Sequence, residues 1–150
     1  MTTMEKHYHI GYTQGVFDMF HIGHLNLLNH AKECCDILLV GVNADALVQE
    51  YKHKTPVIRE DQRLAIVQNI KSVDDAFLVY TLDKRATLGG GHPFDAVFIG
   101  DDWKGNERWK QTEEELASVG VDVVYLPHTP ETSSTMLRTV AEGRVGDDGT

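Results

Sequence analysis

The sequence predicts an α/β fold: a single doubly wound, Rossmann-like parallel sheet of five strands, with helices on both faces. Short apolar segments alternate with segments whose apolar residues recur at helical spacing along most of the chain, and this alternation is typical of right-handed βαβ units. Residues 37–40 are a continuous apolar run, as expected of a parallel strand buried on both faces.

Strands are predicted where apolar segments are bounded by turn residues or helical patterns, at 8–15, 37–40, 76–80, 95–100 and 121–126. Helical spacing predicts a helix that begins at Gly23, helices over 60–70, 107–118 and 135–142, and a weaker helix that ends at the glycine run 89–91. Residues 52–58, which include Pro56, are predicted to form a loop. Gly143 fits a helix C-cap. The domain is therefore expected to cover residues 1–143, followed by a disordered tail at 144–150.

Composition limits the classes of function. A chain of 150 residues suits one domain. Its net charge of −9 argues against a nucleic-acid partner, which needs a surplus of basic residues. No apolar run approaches the roughly 20 residues that span a bilayer. Cys34 and Cys35 are adjacent and have no third cysteine to pair with. A disulfide framework is therefore disfavoured, and a cytoplasmic location is expected.

Chemistry is expected at the carboxyl ends of the strands, where ligands bind in parallel sheets. Residues 15–24 join the first strand to the first helix, and a helix N-terminus attracts anions. Gly15 permits a sharp turn, and Gly23 leaves room for a phosphate. His21 and His24 are three residues apart. Both imidazoles could therefore donate hydrogen bonds to an α-phosphate whose charge grows during a reaction.

Two other interpretations of the histidines compete with this one. A lone histidine at such a junction usually caps the helix or lies in the core, but two of them flanking a glycine favour a functional site. Zinc would need further ligands, and the chain has neither a His-Glu-X-X-His nor a Cys-X-X-Cys pattern. No protein metal ligands are therefore predicted.

Residues 13–18 (TQGVFD) and 21–24 (HIGH) resemble the signature of the HxGH nucleotidyltransferases, and within them the glycerol-3-phosphate cytidylyltransferase group. The order of elements is similar over nearly the whole chain. The resemblance implies direct in-line transfer of a nucleotidyl group without a covalent enzyme intermediate. It also implies Mg²⁺ carried with the triphosphate, and a homodimer.

The resemblance also implies roles for individual residues. His21, His24 and Lys52 are expected to be catalytic. Lysines of the loop after the second strand, with an arginine of the next helix, would hold phosphates. The segment 101–103 would contact the nucleoside, and a hydroxyl cluster the triphosphate. The expected substrate-binding residues are Gly15, Phe17, Asp18, Lys54, Arg63, Asp101, Asp102, Trp103, His128, Thr129, Ser133, Ser134 and Thr135.

Several of these residues have simpler interpretations when taken alone. Isolated lysines and arginines are most often solvated surface charges, and an aspartate after a strand often caps a helix. Asp18 is expected either to order the first loop or to approach the metal.

The segment 128–138, which contains the hydroxyl cluster, departs from the cytidylyltransferase pattern. His128 stands where that group usually has arginine, and residues 130–132 also differ. Ser133 to Thr135 with Arg138 resemble the adenylyltransferase branch instead.

The predicted function is transfer of CMP from CTP to a small phosphorylated alcohol, glycerol 3-phosphate being favoured. Ethanolamine phosphate, a sugar-alcohol phosphate or a phosphonate remain open as acceptors. The alternatives are an adenylyltransferase acting on FMN or another phosphate ester, and a nucleotide-sensing domain without turnover.

Overall fold

A computed structural model describes residues 7–127. Five parallel strands form one sheet in the order β3-β2-β1-β4-β5. The strands are β1 (Tyr8–Gly15), β2 (Cys35–Asn43), β3 (Asp75–Val79), β4 (Ala96–Gly100) and β5 (Asp122–Leu126). The helices are α1 (Ile22–Glu33), α2 (Asp45–Lys52), α3 (Glu60–Gln68), α4 (Lys84–Gly89) and α5 (Glu107–Ala117). A short 3₁₀ turn at Asp101–Trp103 follows β4.

The predicted fold class is confirmed, since all five strands are parallel and helices cover both faces. One core contains Leu28 of α1 and Val67 of α3, and the core on the opposite face contains Leu116 of α5. No helix within residues 7–127 is long and apolar enough to cross a membrane. The expected helix at 135–142 and the expected tail at 144–150 lie outside the described residues.

The sequence analysis missed α2. It assigned no structure to residues 45–51 and placed Lys52 in a loop, whereas Lys52 is the last residue of this helix. The helix has only eight residues, and it starts immediately after β2. Leu47 and Val48 are its buried residues, which is too short an apolar pattern to indicate a helix. The helix ends where His53 adopts a left-handed conformation with φ of 59°.

The topology fixes where a ligand can enter. From β1 the chain runs outward through β2 to β3, and it then crosses to the other side of β1 for β4 and β5. The loops that follow β1 and β4 consequently diverge. A crevice opens at such a switch point, at the carboxyl ends of the strands.

Candidate active site

His21 and His24 form the N-terminal cap of α1. His21 is the N-cap residue, and its Nδ1 accepts a hydrogen bond from the Gly23 N–H at 2.9 Å. The Nδ1 of His24 accepts one from the His21 N–H at 3.2 Å. This reciprocal arrangement is a capping box in which imidazoles replace the usual hydroxyl and carboxylate. Since each Nδ1 accepts, a neutral ring carries its proton on Nε2. The cap therefore leaves each imidazole with an Nε2–H donor.

His24 is held neutral by its surroundings. Its pKa is lowered to about 3, mainly by burial and in addition by the nearby His21. The His24 ring centroid lies 5.6 Å from that of Phe17, 5.2 Å from that of Phe20 and 4.1 Å from that of His21. At physiological pH His24 is thus a fixed hydrogen-bond donor without a positive charge.

The loop between β1 and α1 contains two residues in strained backbone conformations. Phe17 and Met19 have φ of 55° and 49°, which residues other than glycine rarely adopt. The carboxylate of Asp18 accepts hydrogen bonds from the Val57 N–H at 2.8 Å and the Ile58 N–H at 2.9 Å. Asp18 therefore ties this loop to the segment before α3, and Phe17 supports His24 from within the core.

Arg63 has a structural role that the sequence did not predict. Its side chain is 0% exposed and forms an ion pair with Asp45. It also donates to the carbonyl oxygens of Val16 at 2.8 Å, Asn43 at 2.7 Å and Ile58 at 2.8 Å. These contacts use most of its donors within the protein, and phosphate binding by Arg63 stays a prediction. The guanidinium lies in the interior, where it joins the loops after β1 and β2 to the start of α3.

A cavity of about 330 Å³ lies at the carboxyl ends of β1, β2 and β4. It is lined by Gln14, Gly15, Asn43, Tyr51, Lys52, Leu82, Lys84, Ile99, Trp103, Asn106, Arg108 and Trp109. Three of these residues are basic and none is acidic, although the whole chain has a net charge of −9. Basic residues concentrated in a cleft attract anions even when the protein is acidic.

One wall of the cavity is a chain of hydrogen bonds between uncharged side chains. The hydroxyl of Tyr12 donates to Gln14 Oε1 at 2.7 Å, and Gln14 Nε2 donates to Asn43 Oδ1 at 2.9 Å. Asn43 Nδ2 donates to the hydroxyl of Tyr51 at 3.0 Å. The bonds connect β1, β2 and α2, and they fix the orientation of both amides.

The opposite wall combines two basic residues with two indole rings. Lys84 is 7% exposed, and its Nζ donates to the Leu82 carbonyl oxygen at 3.2 Å. That nitrogen lies 4.8 Å from the ring centroid of Trp109. The guanidinium carbon of Arg108 lies 5.7 Å from the ring centroid of Trp103 and 6.0 Å from that of Trp109.

Burial lowers the pKa of Lys84 to about 8, and repulsion from Arg108 acts in the same direction. The sequence analysis did not identify Lys84, Arg108 or Trp109. They belong to no motif, and isolated basic residues resemble surface charges.

Of the predicted site residues, the structure brings Gly15, Lys52 and Trp103 together around the cavity. His21 and His24 lie at the start of the adjoining helix α1. The other described site residues do not line the cavity. Lys54, Asp101 and Asp102 are exposed, and Phe17, Asp18 and Arg63 have the structural contacts given above. His128, Thr129, Ser133, Ser134 and Thr135 lie outside the described residues.

Comparison with known proteins identifies relatives over most of the chain. A family model described as cytidylyltransferase-like matches residues 12–140. The FAD synthase of Aciduliprofundum boonei is 38% identical over 109 residues, which cover 73% of this chain and 70% of that protein. The glycerol-3-phosphate cytidylyltransferase of Bacillus spizizenii is 30% identical over 126 residues, which cover 84% of this chain and 92% of that protein.

Two further proteins are similar to this chain, one over about half of its sequence and one in its solved structure. The bifunctional protein HldE of Caulobacter vibrioides is 46% identical over 80 residues, which cover 53% of this chain. The chain spans only 16% of the length of HldE. The crystal structure of a lipopolysaccharide core biosynthesis protein from Thermoplasma volcanium has a TM-score of 0.67 and 29% identity, and the match covers 81% of this chain and 97% of that one.

The capping box predicts the protonation state of both histidines. Long-range ¹H–¹⁵N NMR spectra should show each ring with its proton on Nε2. The His24 signals should not titrate between about pH 8 and 5, because the pKa of this ring is about 3. A His24→Asn variant would assign the signals. Titration of His24 near its ordinary value of ~6.5 would contradict the arrangement.

The position of Arg63 predicts a large effect on stability. Arg63→Met should lower the free energy of unfolding by about 3–5 kcal/mol, because it leaves Asp45 and three carbonyl oxygens without their donor. Urea unfolding measures this loss. Arg59→Met is the matched control, since the side chain of Arg59 is 71% exposed and its removal should change stability little. Equal effects of the two substitutions would contradict the structural role of Arg63.

Proposed function

This chain belongs to the cytidylyltransferase-like family, and from that premise we propose that it transfers a nucleotidyl group from a nucleoside triphosphate to a small phosphorylated acceptor, releasing pyrophosphate. The observation that carries the proposal is the capping box of His21 and His24 at the start of α1, the helix after strand β1, whose last residue, Gly15, lines a cavity that also contains three basic residues. The relatives that make a nucleotide product, an FAD synthase and a glycerol-3-phosphate cytidylyltransferase, support the same class of reaction.

The geometry suits this reaction for a chemical reason. An oxygen of the acceptor phosphate attacks the α-phosphorus, and the bond from that phosphorus to pyrophosphate breaks. The acceptor oxygen is already ionised, so no general base is needed. Charge on the non-bridging α-phosphate oxygens must be stabilised, and two Nε2–H donors fixed in place by the cap can do this without reorganisation. His21 and His24 would therefore act as donors rather than as proton carriers.

The departing pyrophosphate needs positive charge near it. Lys52 lines the cavity at the end of α2, and we assign it to the phosphates of the nucleotide. A magnesium ion bound to the triphosphate would neutralise part of its negative charge. Within residues 7–127 no three His, Cys, Asp or Glu side chains cluster as a metal site. The ion would be carried by the triphosphate, since Mg²⁺ is commonly held by substrate phosphates and water with few protein ligands.

The favoured donor is CTP and the favoured acceptor is glycerol 3-phosphate. Trp103 offers an aromatic face at the edge of the cavity, and Asp101 and Asp102 lie beside it on the turn after β4. An indole can stack on a base, and carboxylates can accept hydrogen bonds from a base amine or from ribose hydroxyls. The cytidylyltransferase relative covers 84% of this chain, which supports the assignment.

An adenylyltransferase is the second candidate. The FAD synthase relative is more similar, at 38% identity, and Ser133 to Thr135 with Arg138 resemble that branch. On this alternative ATP would be the donor, and FMN or another phosphate ester the acceptor.

We also propose a homodimer and a cytoplasmic location. The dimer rests on the family resemblance. The location rests on the sequence having no cysteine besides the adjacent Cys34 and Cys35, which disfavours a disulfide framework.

Removal of the histidines should reduce the rate more than the affinity. His21→Ala and His24→Ala should each lower kcat about 10²–10³-fold and leave the affinity for CTP within a few-fold, because their donors act mainly on the transition state. Steady-state kinetics and nucleotide titration measure the two effects. His30→Ala, in the last turn of the same helix, is the matched control.

His21→Asn separates catalysis from capping. Asparagine caps helices well, so this variant should keep the stability of the wild type while its kcat still falls. Near-normal turnover by the His21→Ala/His24→Ala double variant would disprove the catalytic assignment.

Donor choice should favour the pyrimidine. With glycerol 3-phosphate as acceptor, kcat/KM for CTP should exceed that for ATP at least tenfold, because a hydrogen bond from the correct base to a carboxylate such as that of Asp101 or Asp102 contributes about 1.5–3 kcal/mol. Pyrophosphate release measures both values. Equal or better use of ATP would assign the chain to the adenylyltransferase branch.

A further inference from the structure

We propose that Lys84, Arg108 and the indole N–H of Trp109 hold the phosphate group of the acceptor, and that this wall of the cavity selects acceptors whose carbon skeleton carries no positive charge. The inference rests on the proposed function and narrows its substrate class. These three residues lie outside the motifs that carry the family resemblance.

The indole nitrogen of Trp109 supplies the first argument. Trp109 is 4% exposed, and its Nε1 has no hydrogen-bond partner within residues 7–127. Buried donors nearly always have an acceptor. Trp109 lines the cavity, so a ligand there can supply one. An indole N–H only donates, and the missing partner must therefore be an acceptor such as a phosphate oxygen.

The amine of Lys84 points to the same ligand. Its hydrogen bond to Leu82 uses one of three ammonium protons. Its charge is largely buried beside that of Arg108, and no acidic residue belongs to the described lining of the cavity. The buried charge of Lys84, next to the exposed guanidinium of Arg108 and without an acidic partner in the cavity, is stabilised when an anion binds.

The acidic groups near Lys84, Asp83 and Glu115, line a neighbouring cavity that Lys84, Arg108 and Trp109 also line, and Arg85 contacts both of them. The carboxylate of Asp83 accepts a hydrogen bond from the Arg85 N–H at 3.0 Å. The guanidinium of Arg85 lies 3.8 Å from Asp83 and 3.9 Å from Glu115. Asp83 raises the pKa of Lys84, but burial and Arg108 outweigh it, and the pKa is lowered to about 8. Lys84 is thus mostly charged at neutral pH and needs an anion to stay charged above pH 8.

The same wall disfavours ammonium groups. An acceptor such as choline phosphate would place its positive charge in a cavity that already holds Lys52, Lys84 and Arg108. Aromatic rings often bind quaternary ammonium groups. Here, however, the side chain of Arg108 lies over the ring of Trp103, and that of Lys84 lies over the ring of Trp109. Phosphates of polyhydroxy compounds, which are neutral apart from the phosphate, fit the wall better.

The binding test observes Trp109 directly in the full-length protein without nucleotide. The chain has two tryptophans, and Trp109→Phe would assign the two ¹⁵N indole signals. Titration with glycerol 3-phosphate should move the Trp109 signal in a saturable way, and inorganic phosphate should move it in the same direction. Lys84→Met should weaken binding at least tenfold, whereas Lys84→Arg should preserve it. Lys110→Met, an exposed lysine of α5, is the matched control. An unmoved Trp109 signal, or equal binding by Lys84→Met and wild type, would overturn the site.

Two further comparisons test the charge argument. Choline phosphate should bind at least tenfold more weakly than glycerol 3-phosphate, and equal affinity would overturn the selectivity. Binding should weaken as the pH rises above 8 in the wild type, because the free Lys84 amine loses its proton, but not in Lys84→Arg. The same pH profile in both proteins would contradict the role of Lys84.

Failure of this inference is distinguishable from failure of the proposed function. Turnover by Lys84→Met with an unchanged KM for the acceptor would reject the phosphate site and leave nucleotidyl transfer standing. A Trp109 response without pyrophosphate release from any nucleotide would support the phosphate site and reject nucleotidyl transfer.

Discussion

The buried guanidinium of Arg63 is the interaction on which the rest of the site depends. It joins the loops after β1 and β2 to the start of α3 through carbonyl oxygens of Val16, Asn43 and Ile58, and it pairs with Asp45. Loops at the end of a parallel sheet have few neighbours of their own, so a fully shielded cation with five donors is an efficient crosslink. Asp18 adds a second connection between the loop after β1 and the segment before α3. Together, Arg63 and Asp18 hold in position the strained loop that precedes α1.

The cap of α1 links stability to chemistry. In most helices the N-cap side chain only satisfies backbone donors. Here the Nδ1 atoms of His21 and His24 do so, and this use leaves Nε2–H as the donor of each neutral ring. Burial of His24 then prevents protonation, which would break the cap. The tautomer that the proposed reaction needs is therefore the one that folding selects. A substitution that removes the cap lowers both the stability and the rate. Asparagine is an exception for the stability, because it caps the helix with its amide oxygen.

Most of the fold could be predicted because it depends on local patterns. Alternating apolar segments identified the five parallel strands, and the strand-to-helix junction identified the start of α1, where His21 and His24 form the cap. The prediction was wrong where short segments or long-range contacts decide the outcome. Helix α2 contains too few apolar residues to form a pattern. The sequence also does not reveal that Arg63 donates to carbonyl oxygens distant in the chain. Lys84 and Trp109 meet only through the packing of α4 against α5, for which the sequence has no local signal.

The central claim is that a basic cavity in an acidic protein, beside two fixed imidazole donors, transfers a nucleotidyl group. The most direct test incubates the wild-type protein with Mg²⁺, CTP and glycerol 3-phosphate, and follows pyrophosphate and the nucleotide product by ³¹P NMR. The account predicts that the two products form in equal amounts and that neither forms when the acceptor is omitted. Nucleotide that binds but yields no pyrophosphate with any triphosphate and phosphorylated acceptor would contradict the account, and it would identify the chain as a nucleotide-binding domain without turnover.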